Sequence, residues 1–286
     1  HLSYDPNYAD DDDDDDSGGL DDASDMDDDD DAVDDDDDDD YSDDDDDSWK
    51  VRRAATKVLS AWVISRPDRL ADLVQRLTPA LVARFKEREE NVKMDVFAAL
   101  NVLIRTVGKA HDLSRAAAGS GGGGAAAGAT TVEPMAVDDA ADAVVSSSDP
   151  AVLALVAEVP RLVKAASRQL GQRAPRTRAA AFNLLHLLAT SLPGTLSDSI
   201  PAILPGIERA MKESAASNTL RLEALGLLLL LLSTHPRATQ GHVSTLLPTV
   251  LRLVGDRYYK ITADALRVTA ELVKALRPDG GGGTLA

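Results

Sequence analysis

Two short markers recur along this chain at a spacing near 40 residues, and few folds accommodate such a period. The first is a small or apolar residue followed by a cation at the start of a helical pattern: Val51-Arg52, Val92-Lys93, Thr177-Arg178, Leu220-Arg221 and Tyr259-Lys260. These cations lie 41, 85, 43 and 39 residues apart. The long interval is about twice the others and contains a Gly/Ala-rich stretch, which expands one spacing or replaces a helix pair. The second marker precedes four of the five: Leu77-Thr78-Pro79-Ala80-Leu81, Val159-Pro160-Arg161-Leu162, Ile203-Leu204-Pro205 and Leu246-Leu247-Pro248.

Around these markers the apolar residues follow a helical period. Val51, Ala54, Ala55, Val58, Leu59 and Trp62 make one face of a helix, and Val92, Val96, Leu100, Leu103 and Val107 make another. Leu222, Leu225, Leu229 and Leu232 repeat the pattern, and no sustained two-residue alternation competes with it. The chain is therefore expected to be all-α. A period near 40, with two helices per unit and proline inside the first, predicts a HEAT/armadillo-type α-solenoid of about five helical hairpins. Proline there removes one backbone hydrogen bond and bends the first helix, as a curved outer layer requires. An ordinary bundle would explain the helices but leave the markers unexplained.

Charge divides the chain sharply. Residues 1–48 hold 28 of the 49 acidic residues, all aspartate, and no lysine or arginine; residues 49–286 keep 30 cations against 21 acids, a net +9. A run of like charge with almost nothing apolar is expected to be disordered. Gly119–Gly124, Ala125–Ala127 and Ser146–Ser148 mark 115–148 as a flexible linker, and Gly280–Gly283 places a disordered tail at 279–286. Repeats are expected over 49–114 and 149–278. The absence of cysteine excludes disulfides and thiolate ligands and fits the cytoplasm or nucleus. No basic-then-apolar leader opens the sequence, and the longest apolar run, Leu225 to Leu232, is far short of the roughly 20 residues of a membrane span. It reads as a buried helix, so no membrane partner is expected.

Motifs for catalysis are missing: there is no GxxxxGK[ST], HExxH or GxSxG, so no enzyme, cofactor or small-molecule substrate is expected. Gly119–Gly124 lacks the Lys-Ser/Thr of a phosphate loop. The five histidines share no ligand spacing; His186 sits in an apolar helix and His235 precedes Pro236 at a helix end. The aspartate run lacks the Gly turn and terminal Glu of a calcium loop, so cation binding there would be weak and unselective. Its charge should instead compete with acidic partners for the basic remainder. Ser42 before Asp43–Asp47 has the form of an acidophilic kinase site. Arg52, Arg53, Lys93, Arg178, Arg221 and Lys260 fall at equivalent places on successive second helices and are expected to form a ladder along one edge. Two roles are open: pairing with a neighbouring repeat's acid or carbonyls, or contacting a partner. No aromatic residues interleave with the ladder, and the aspartates oppose phosphate, which points away from nucleic acid.

Longer stretches carry a resemblance. Tyr4-Asp5-Pro6-Asn7-Tyr8 leads into the acidic tract, which ends at Tyr41-Ser42-Asp43 and Ser48-Trp49-Lys50-Val51-Arg52-Arg53-Ala54-Ala55. Then follow Thr78-Pro79-Ala80-Leu81, Arg84-Phe85-Lys86-Glu87-Arg88-Glu89-Glu90-Asn91-Val92-Lys93, Leu192-Pro193-Gly194, Leu204-Pro205-Gly206-Ile207 and Tyr259-Lys260-Ile261-Thr262. In this order, from residue 4 to about 278, the chain resembles internal repeats of the cullin-associated, neddylation-dissociated proteins. The resemblance implies a scaffold that wraps an unmodified cullin–RING pair, blocks its modification and promotes substrate-receptor exchange within SCF-type ubiquitin ligases. It implies no contact residue, because the matched motifs are mostly packing and helix-start positions. Two other readings compete: a karyopherin-like nuclear transport receptor fragment with an acidic loop, and an acidic cation or histone buffer acting through the aspartates alone.

Overall fold

The computed structural model describes residues 48–120 (side chains to 113), 148–213 and 216–276. The acidic tract with Ser42, the linker beyond Ser120 and the glycine-rich tail lie outside the described residues. Among the described residues there are ten α-helices and no strand. They are α1 (Ser48–Ser65), α2 (Leu70–Ala83), α3 (Glu90–Ser120), α4 (Pro150–Leu170) and α5 (Pro175–Ser191), then α6 (Ile200–Lys212), α7 (Asn218–Thr234), α8 (Pro236–Gln240), α9 (Val243–Val254) and α10 (Tyr259–Ala275). α3 thus continues through 115–120, the first residues of the Gly/Ala-rich segment.

The helices form two layers. α2, α4, α6 and α9 each pack on the next in one layer, while α1, α3, α5, α7 and α10 do the same in the other. Hairpin partners α2/α3, α4/α5, α6/α7 and α9/α10 join the layers. This is an α-solenoid of stacked hairpins. The proline marker falls inside every first-layer helix, at Pro79, Pro160, Pro205 and Pro248. Pro160, Pro205 and Pro248 are exposed, so the bond each removes is lost on the solvent side, where water can satisfy the freed carbonyl. The paired cation marker opens every second-layer helix.

One apolar interior runs from Val63 to Ala275 between the layers. Its middle is dense: in α7, Leu225, Leu227, Leu228, Leu231 and Leu232 are all buried, so the longest apolar run is a core helix. Among the described residues no helix is long and apolar enough to cross a membrane. α1 departs from expectation. Val51, Val58 and Trp62, three residues of its apolar face, are 70%, 65% and 48% exposed, whereas Thr56 and Val63 are buried. α1 packs on α3 along a face offset from its apolar stripe, and no first-layer helix among the described residues covers that stripe.

Glycine matters where backbones converge or turn back. Gly194, with φ of 84°, takes the left-handed conformation that reverses the chain between α5 and α6. Gly206 lies against Leu170, and a Cβ there would sit 2.5 Å from Leu170 Cδ1 and 2.8 Å from its Cβ. Gly226, in the middle of α7, has nothing within 4 Å of an added Cβ. We therefore expect Gly206→Val to lower the unfolding free energy by about 1–3 kcal/mol through overpacking. Gly226→Ala should raise it by about 0.5–1 kcal/mol by restricting the unfolded chain. Urea titration followed by circular dichroism measures both; equal effects would contradict the packing assigned to α4 and α6.

Candidate partner-binding edge

Because hairpins stack in parallel register, every turn from a first-layer helix to its second-layer partner falls on one edge. Four such turns are seen, between α2 and α3, α4 and α5, α6 and α7, and α9 and α10. Residues 84–93, 168–178, 209–221 and 252–260, which hold these turns and the helix ends beside them, carry fourteen cations against five carboxylates. That excess of nine equals the whole net charge of residues 49–286, so the basic character of the body is concentrated on this edge.

Three of the ladder cations make a repeating ion pair. Arg52 on α1 reaches Glu87 (Nε to Oε2, 3.1 Å), Arg178 on α5 reaches Glu213 (Nη1 to Oε2, 2.6 Å) and Arg221 on α7 reaches Asp256 (Nη1 to Oδ2, 3.2 Å). Each acid lies in the next hairpin's turn, 35 residues further on in all three cases. The pairs tie one repeat to its neighbour where the apolar core ends. Arg221 also donates to the Glu213 carbonyl at 3.1 Å. Glu87 accepts from the backbone N–H of Arg88 at 3.0 Å. Burial alone would push its carboxyl up; the backbone N–H groups of Glu89 and Arg88, with Arg52, more than offset this and hold it below the ordinary glutamate value.

The other three candidates are placed differently. Arg53 pairs with Asp95 on α3 at 2.7 Å and lies near the Trp49 ring. Lys93 is half-buried on α3. Its N–H donates the first helical bond, to the Glu89 carbonyl, in the register that Arg178 and Arg221 use toward the carbonyls of Ala174 and Ser217. Lys260 is exposed beside the Tyr259 ring and sits two residues short of that register, which Thr262 occupies through its bond to Tyr258. With Trp49 beside Arg53, aromatic rings do accompany two of the ladder cations, against the expectation of none. So Lys93, Arg178 and Arg221 are equivalent, and Lys260 is displaced. Arg178 is 3% exposed and leaves Nε and Nη2 without a hydrogen-bond partner.

A second set of cations escaped sequence reasoning. Arg209 on α6 donates to the Gly171 carbonyl at the end of α4 (3.1 Å), and Arg252 on α9 donates to the Met211 carbonyl in the last turn of α6 (3.2 Å). A guanidinium there satisfies an orphan carbonyl and meets the negative end of the helix dipole. The sequence signal is proline followed four residues later by arginine, Pro205 to Arg209 and Pro248 to Arg252. The carboxylates had a signal too, the constant offset of 35. Chemically the edge is a row of guanidinium groups suited to carboxylates and carbonyls. Among the described residues no group of His, Asp or Glu side chains could hold a metal ion. His186 is half-buried in α5, and His235 bonds Thr234 (Nδ1 to Oγ1, 2.7 Å) at the end of α7.

Known proteins resemble the chain in the same region. A family profile described as "CAND1-like, TPR repeats" matches residues 194–284. The chain is 38% identical to Cullin-associated NEDD8-dissociated protein 1 of Arabidopsis thaliana, over 82% of its own length and 17% of that protein. It is 40% identical to Cullin-associated NEDD8-dissociated protein 2 of Mus musculus, over 81% and 17%. It thus spans about a sixth of the length of these relatives. Among solved structures, that of Kap121p aligns at a TM-score of 0.39 and 13% identity, covering 81% of this chain and 28% of that one.

Removing a ladder arginine should expose the difference between its members. Arg178→Ala, which removes a buried guanidinium and leaves the partly exposed Glu213 carboxylate without its partner, should cost about 1–3 kcal/mol of stability. Lys93→Ala should stay within about 0.5 kcal/mol. The Glu87 carboxyl also makes a pH prediction. Its folded value is depressed, so its stabilisation is present above the unfolded value near 4.3 and is lost as pH falls through the folded one. Denaturation between about pH 6 and pH 3 should therefore show a smaller acid loss in Glu87→Gln than in the parent.

Proposed function

We propose, from the premise that the chain belongs to the family of cullin-associated NEDD8-dissociated proteins, that it is a non-catalytic stretch of solenoid that holds a cullin–RING ubiquitin ligase. The observation that carries this reading is the relatedness over four-fifths of the chain, 38–40% identity extending through both helical layers. Stacked hairpins offer an extended wall suited to covering a large protein surface. The mechanism is steric: a partner laid along the solenoid is unavailable to competitors, and in a longer chain this would favour exchange of substrate receptors. An unmodified cullin–RING pair is the form expected to bind, because a ubiquitin-like modifier on the cullin would collide with the wall. The site of action is the cytoplasm, the nucleus or both. The ladder cation Lys260 is exposed and meets no acid among the described residues, which makes it the member best placed for partner contact, while Arg52, Arg53 and Arg178 serve within the chain.

Co-purification tests the proposal. The chain should retain an unmodified cullin–RING pair and lose at least tenfold of that retention when the cullin carries its ubiquitin-like modifier. Equal retention of both forms would remove the steric mechanism. Enrichment of a small GTPase or a basic cargo in place of the cullin would replace the proposal with the transport-receptor reading.

A further inference from the structure

The repeating ion pair is interrupted at one step. Lys93 stands in the register of Arg178 and Arg221, and its partner acid should lie in the α4–α5 turn, as Glu213 and Asp256 lie in the turns that follow. That turn reads Gly171-Gln172-Arg173-Ala174 and offers no carboxylate. The whole of residues 168–178 contains four arginines and no acid. Among the described residues only Glu90 approaches, 3.8 Å from Arg176, with both side chains well exposed. Glu90 and Lys93 are three residues apart on α3, so Lys93 shares the helix face on which Glu90 meets Arg176. Close by in sequence, the buried Arg178 has two nitrogens, Nε and Nη2, without hydrogen-bond partners. This part of the edge is short of carboxylates, where the steps before and after it are supplied by the chain itself.

We propose that a carboxylate-rich segment of a partner protein docks on the α4–α5 turn and supplies the missing acid to Lys93, Arg173 and Arg176. The choice of ligand follows from the equivalent steps. In three of them the group that meets the ladder cation is a carboxylate, held at 2.6–3.2 Å. A nucleic acid would gain from rings to stack on, and residues 168–178 contain none. The proposal stands apart from the cullin reading, because either interaction can fail while the other persists.

The test is fluorescence anisotropy of a labelled Glu/Gly dodecapeptide with the full chain at about 50 mM salt, where exposed charges are weakly screened. The chain's own aspartates compete for the same cations and do so less in the charge-reversed variants, so the measured weakening is a lower bound. Saturable binding is expected, and Arg173→Glu with Arg176→Glu should weaken it at least tenfold. Gln172→Glu places a carboxylate in the turn itself. It should weaken binding comparably and raise the thermal midpoint, an outcome that misfolding would not produce. Lys109→Glu is the control: Lys109 is exposed on α3, sixteen residues and about 24 Å along the helix from Lys93, and should change binding by less than twofold. The proposal is overturned if the parent shows no saturable binding, if Lys109→Glu weakens binding as much as the turn variants, or if labelled oligothymidylate of equal charge binds more tightly through the same residues.

Discussion

Everything in this molecule depends on apolar stripes that no single hairpin can bury. A helix such as α7 presents leucines toward α5 on one side, α10 on the other and α6 across the layers. Burying one such leucine contributes roughly 2 kcal/mol, and only neighbours in the stack can supply the cover. Stability is therefore a property of the series, with each repeat acting as both core and lid for the next. The exposed apolar face of α1 shows the same rule from the other side: where no first-layer helix stands in front, valine and tryptophan remain in water.

Electrostatics operate at the margin of that core. The Arg52–Glu87, Arg178–Glu213 and Arg221–Asp256 pairs join adjacent repeats at the turn edge, and Arg209 and Arg252 close the ends of first-layer helices. Partly exposed pairs of this kind contribute little energy each compared with the leucine core. Their repeated geometry fixes how one hairpin is set against the next, and so sets the spacing of charges that a partner meets. Concentrating the cations on one edge gives the packed body an exposed row of positive charge.

This division of labour runs through all the described residues. Apolar matter is committed to the interior, and polar chemistry is distributed along an edge. On the proposed reading, a large partner is held along this edge at many weak points, and selectivity resides in where carboxylates are present and where they are withheld, as at Gly171–Ala174.

Periodicity was legible from the residues because helix geometry imposes it locally. The proline in each first-layer helix, the cation in each second-layer helix and the spacing near 40 residues all follow from contacts within a hairpin and its nearest neighbour. The leucine run of α7 declared itself as core by its length. What one dimension left open was the outcome of competition among neighbours: which face of α1 would be covered, and whether a given arginine would meet an acid 35 residues away or face the solvent. Arg178 and Lys93 share a register and a sequence signature, yet one is sealed in an ion pair and the other is not. That difference lies in the adjoining turn, which carries Glu213 in one case and only Gly, Gln, Arg and Ala in the other, and only the stacking of hairpins in space brings those turns to their cations.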